Sequence, residues 1–81
     1  MKSEIYDKMN TVFRKVLKDP AIHLQPQSVQ TDFENWDSLN NMILITHLEK
    51  QFGIQLDIAD VLQIKTISDL AYLIEIKLSS N

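Results

Sequence analysis

Few side chains in this sequence can do covalent chemistry, and Ser38 is the one whose setting suits it. It follows Asp37 and opens an apolar run at Leu39. A serine at a helix start is exposed beside backbone N–H groups that have no helical partner, where an attached anion is stabilised. Asp37 has the residue type of an ordinary N-cap, able to accept from one of those groups. To act as a hydrolytic nucleophile the serine needs a base within about 3 Å. His47 lies nine residues further along the same stretch, about 13 Å away if that stretch is helical. His23 comes without the glycine run that would build an oxyanion hole. Cysteine is absent, which removes thiolate nucleophiles, disulfides and thiolate metal clusters together. Two histidines with scattered carboxylates match neither a zinc nor a calcium pattern. No catalytic residue and no metal site are expected, and taken alone Asp37-Ser38-Leu39 is a weak signal, since Asp and Ser are the ordinary residues of a helix start.

The elements that must hold Ser38 are helical. One glycine and two prolines in 81 residues, with no alternating strand pattern, point to helices. Hydrophobic residues make up 44% and charged residues 23%, values of a globular domain, and the length suits one small core spanning residues 1–81. Ile5, Met9, Val12, Phe13, Val16 and Leu17 line one face of a first helix. Ser3 is its expected cap, and Asp19-Pro20 its expected end. Residues 19–37 have no period but contain Ile22, Leu24, Val29, Phe33 and Trp36. They predict a long loop that packs onto the core, with Trp36 as an anchor. A helix over Leu39 to Phe52 ends at Gly53, where a left-handed conformation costs little. Asp57 to Ile64 has room for only a turn or two. Thr66 and Asp69 form a capping-box variant before a last helix carrying Ile67, Leu70, Ala71, Ile74 and Leu78 on one face.

Charge and hydropathy narrow the partners. Lys2, Lys8, Arg14, Lys15 and Lys18 outnumber Glu4 and Asp7 in the first segment, as expected for the solvated face of an amphipathic helix. Asp32, Glu34, Asp37, Glu49, Asp57 and Asp60 against Lys50 make the middle acidic, which argues against a nucleic-acid partner. No stretch approaches the ~18 apolar residues of a membrane span, and Met1 to Asn10 lacks a signal-like apolar core. A monomeric cytoplasmic protein is expected. The helix from Leu39 carries two apolar stripes. Leu44, Ile45, Leu48 and Phe52 form a core face; Leu39, Met42, Ile43 and Thr46 lie roughly opposite. A helix in so small a bundle is hardly buried on both sides, so the second stripe predicts exposed surface awaiting a partner. Met42, with its adaptable thioether, suits that role.

Asp37-Ser38-Leu39, Leu44-Ile45, Leu48-Glu49, Phe52-Gly53-Ile54 and then Thr66-Ile67 with Leu70 together resemble an acyl carrier protein. The resemblance covers nearly the whole chain and implies an all-α, four-helix carrier bundle with three main helices, a short third one and a long first loop. It implies that a phosphopantetheinyl transferase brings 4′-phosphopantetheine from coenzyme A to Ser38. The arm's thiol then holds acyl or aminoacyl intermediates as thioesters for a loading enzyme and downstream biosynthetic enzymes. Asp37 is implied to be part of the transferase's recognition surface, beside Leu39, Met42, Ile43 and Thr46 of the exposed stripe. A protein without cysteine has to import such a thiol. Fatty-acid carriers usually place an acid directly after the motif and another a few residues on, where this chain has Asn40 and Ile43. That difference points to a specialised lipid or secondary-metabolite pathway. From the residues alone, a helical interaction module that binds through Leu39, Met42 and Ile43 without an arm is the alternative.

Overall fold

The computed structural model describes residues 2–79. Its helices are α1 (Lys2–Val16), α2 (Ser38–Phe52), α3 (Ile58–Val61) and α4 (Ile67–Ser79), with a 3₁₀ turn at Gln30–Asp32. The all-α bundle with one short third helix is therefore observed. Ile5, Met9, Val12, Phe13 and Leu17 of the first segment are buried against Leu44 and Leu48 of α2 and Ile67, Leu70, Ala71 and Ile74 of α4. No described helix is long and apolar enough to cross a membrane.

The ends of α1 differ from the sequence expectation. The helix already runs from Lys2, so Ser3 lies inside its first turn and does not cap it. At the other end it stops at Val16, before Asp19-Pro20, because Lys18 takes a left-handed conformation (φ 56°). The Asp19 N–H then donates to the Arg14 carbonyl, closing the last turn in the manner usually built on glycine. Gly53 (φ 66°) ends α2 in the same way, with the Ile54 N–H on the Glu49 carbonyl.

The long loop is ordered by polar contacts to its neighbours. Asn10 is a buried polar residue on α1, and its Oδ1 accepts the Leu24 N–H at 2.8 Å, so neither group is left unpaired. The Arg14 Nε donates to the Ile22 carbonyl at 2.7 Å. Further on, the carbonyls of Ser28 and Pro26 accept the Ile67 and Ser68 N–H groups, satisfying first-turn donors of α4. Short α3 buries none of its residues. Lys77 of α4 lies 3.5 Å from the Asp57 carboxylate and 3.7 Å from that of Asp60, tying the two helices at their edge.

The capping box at α4 is present: the Asp69 N–H donates to Thr66 Oγ1, and the Thr66 N–H donates to the Asp69 carboxylate. The backbone N–H groups of Lys65 and Thr66 hold the Asp69 carboxyl below its ordinary value. Its stabilising contribution is thus complete above pH about 4 and is lost as pH falls through the lower folded value. Thermal melts from pH 7 downward should show Asp69→Asn less stable at neutral pH and with a shallower acid loss than wild type. Parallel acid limbs for the two proteins would contradict this role.

Candidate functional site

Ser38 is the first residue of α2 and is exposed. Asp37 is the N-cap, its Oδ1 accepting the Asn40 N–H at 2.8 Å, and its carbonyl accepts the Asn41 N–H to start the helical ladder. Among the described residues the N–H groups of Ser38 and Leu39 have no acceptor, and nothing engages the Ser38 hydroxyl. The serine is therefore held by its backbone while its side chain stays open to solvent. His47, on the same helix, makes no hydrogen bond to it, and among the described residues no cluster of histidines and acids could hold a metal ion.

The two stripes of α2 separate as their spacing predicts. Leu44 and Leu48 are buried, with Ile45 and Phe52 packed partly into the core. Leu39 is 71% exposed, Met42 58% and Ile43 38%, and Thr46 is exposed with its hydroxyl donating to the Met42 carbonyl. Three exposed apolar side chains on one helix next to Ser38 form a surface available for contact. Glu49, the acid within α2, accepts the Leu56 N–H at 2.9 Å and is used internally. That leaves Asp37 as the carboxylate at the serine's end of the helix. Ile58 and Leu62, at 70% and 77% exposed, add apolar surface around α3 that sequence reasoning passed over. The segment is too short to show a period, so no stripe could be read there.

Behind Ser38 the loop is anchored. The Trp36 ring meets Phe13 edge-on at 5.0 Å and tilts against Phe33 at 5.6 Å. Its indole N–H donates to Asn41 Oδ1. Trp36 and Asn41, with Ile45, Val61, Ile64 and Leu70, line a cavity of about 60 Å³ between α2, α3 and the start of α4. It holds a few waters at most.

The bundle thus displays an exposed, unengaged serine as the first residue of α2, with an apolar stripe beside it on the same helix. Comparison with protein families matches residues 7–74 to the phosphopantetheine attachment site family. The NMR solution structure of the holo acyl carrier protein from Geobacter metallireducens superposes with a TM-score of 0.87 at 33% identity, covering 93% of this chain and 86% of that one. Comparison with curated proteins found no match. The chain belongs to the acyl carrier protein family, non-catalytic carriers of a covalently attached 4′-phosphopantetheine that a phosphopantetheinyl transferase installs and biosynthetic enzymes engage. The start of α2 fits such a group: a hydroxyl free to be esterified stands beside two N–H donors without acceptors, which favour a phosphate.

Proposed function

We propose that Ser38 is the attachment residue and that residues 1–81 form one domain, acting as a cytoplasmic monomer. It carries acyl or aminoacyl intermediates for a specialised lipid or secondary-metabolite pathway. The observation that supports this most strongly is the exposed Ser38 hydroxyl at the capped start of α2. When bound, the arm supplies a thiol on a flexible tether that holds cargo as a thioester. The chain's own part is mechanical. Asp37 fixes the first turn, the open N–H groups of Ser38 and Leu39 stabilise the phosphate, and the rigid loop keeps the serine pointing outward. Incubation with coenzyme A and a broad-specificity transferase should raise the intact mass by one phosphopantetheine. An unchanged mass would favour the armless interaction module.

Partner enzymes dock on Leu39, Met42 and Ile43, with Asp37 and Thr46 at the edge of the contact. The support is the exposure of these apolar side chains beside Ser38, with Glu49 occupied internally. Asn40 and Ile43, where fatty-acid carriers usually carry acids, favour a specialised route over docking steered by acid and base pairs. Met42→Glu and Ile43→Glu should each change stability by less than about 0.5 kcal/mol, as surface substitutions do. Each should weaken transferase binding at least about tenfold, because the new charge is desolvated without a partner. Wild-type affinity should fall only weakly with added salt. Steep salt dependence, or loss of the fold in either variant, would return the protein to a conventional charge-steered carrier.

A further inference from the structure

We propose that Asn40 and Asn41 are positioning residues for group transfer to Ser38, gripping the loop before the serine from the first turn of α2. Resting on the reading of Ser38 as the attachment residue, the inference starts from where the hydrogen bonds of residues 35–37 go. The Asn40 Nδ2 donates to the Asn35 carbonyl at 2.6 Å, and the same carbonyl accepts the Asp37 N–H. The Trp36 indole N–H donates to Asn41 Oδ1 at 2.9 Å, and the Trp36 carbonyl accepts from the Gln30 side chain at 2.8 Å. Asn35 Nδ2 donates in turn to the Leu17 carbonyl at the end of the first helical segment. Each of the three residues before Ser38 is thus bonded to a neighbouring element, and two of those bonds come from adjacent asparagine side chains.

The two asparagines have different chemical duties. Asn40 acts as a donor to a carbonyl, so a carboxylate in its place would face the Asn35 oxygen with lone pairs of its own. This gives a physical reason for an amide at the position directly after the motif. Asn41 acts as an acceptor for an indole N–H, a duty that aspartate performs equally well. The Trp36–Asn41 bond is partly buried, where geometry is held more tightly than in open water.

Such a grip matters because of the reaction at the serine. The Ser38 oxygen forms an ester bond to the phosphorus of the arm as the bond from that phosphorus to the nucleotide half of coenzyme A breaks. The hydroxyl proton passes to a base of the transferase, and adenosine 3′,5′-bisphosphate leaves. Attack requires the oxygen in line with the breaking bond, and misplacement by about 1 Å costs up to ~100-fold in rate. The docking stripe sets how tightly the transferase binds, while the asparagine grip sets where the oxygen lies once it has bound.

The test compares wild type, Asn40→Leu, Asn41→Leu and Asn41→Asp. Measured together are transferase kinetics with coenzyme A over a range of carrier concentrations, thermal melts, and exchange of the Trp36 indole proton by NMR. Asn40→Leu and Asn41→Leu should lower kcat about tenfold with KM within about twofold. Asn41→Asp should restore both the rate and the slow indole exchange, which a role in packing alone would not produce. If Asn41→Leu melts below the assay temperature, Asn40→Leu and the Asp variant still carry the test. Wild-type rates in both leucine variants would overturn the inference, as would Asn41→Asp as slow as Asn41→Leu or rate losses explained by unfolding. Wild type modified normally beside unaffected variants overturns this inference alone, whereas wild type that takes no arm overturns the carrier reading along with it.

Discussion

Ser38→Ala should gain no mass when incubated with coenzyme A and a transferase, while its melting curve stays close to that of the wild type. The first half follows from chemistry, since alanine has no oxygen to esterify and the effect on modification is total. The second follows from geometry. Ser38 is exposed, its hydroxyl is not engaged among the described residues, and the cap that starts α2 belongs to Asp37. Alanine is also the best helix former, so it does not disturb the first turn. A mutant that still gains the arm would place the attachment elsewhere. An unfolded mutant would show that the serine is structural.

Leu48→Ala should be the most damaging substitution on α2. Its side chain is fully buried, in one core with Met9 and Phe13 of α1 and Ile67, Leu70 and Ile74 of α4. Truncating a leucine in such a site costs about 2 to 5 kcal/mol, the lost transfer energy plus the cavity left behind. Against a total of about 5 to 15 kcal/mol for a whole domain, that is a large fraction. The melting temperature should drop by about 8 °C or more. Leu39→Ala, on the opposite stripe and 71% exposed, should stay within about 0.5 kcal/mol of wild type. Equal losses for the two variants in denaturant melts would mean that α2 is buried on both sides.

That contrast shows what a single sequence discloses. The faces of α2 were legible because the helical period sorts Leu44 and Leu48 from Leu39 and Met42 without any knowledge of neighbours. Asp37, Gly53 and the Thr66–Asp69 pair were legible for the same reason, since caps and boxes act over three or four residues. The end of α1 was not. Its left-handed residue is Lys18, a type that gives no signal for that conformation. That the long loop packs down was legible from Ile22, Leu24, Phe33 and Trp36, but the polar pairings that fix it were not: Asn10 facing Leu24 and Arg14 reaching the Ile22 carbonyl lie fourteen and eight residues apart, and no local pattern encodes them. Asn40 reads only as a departure from the usual motif, and Asn41 carries no signal at all. Their partners, Asn35 and Trp36, are close in sequence, but only the folded loop brings the side chains round to them.

The central claim is that the arm sits on Ser38. The most direct measurement is proteolysis of the modified wild-type protein followed by mass spectrometry of its peptides. The added mass should be found on the peptide containing Ser38 and fragment to that residue, with peptides carrying Ser3, Ser28, Ser68, Ser79 and Ser80 unmodified. The added mass on any of those other serines, or none on the Ser38 peptide of a protein whose intact mass has risen, would contradict the claim.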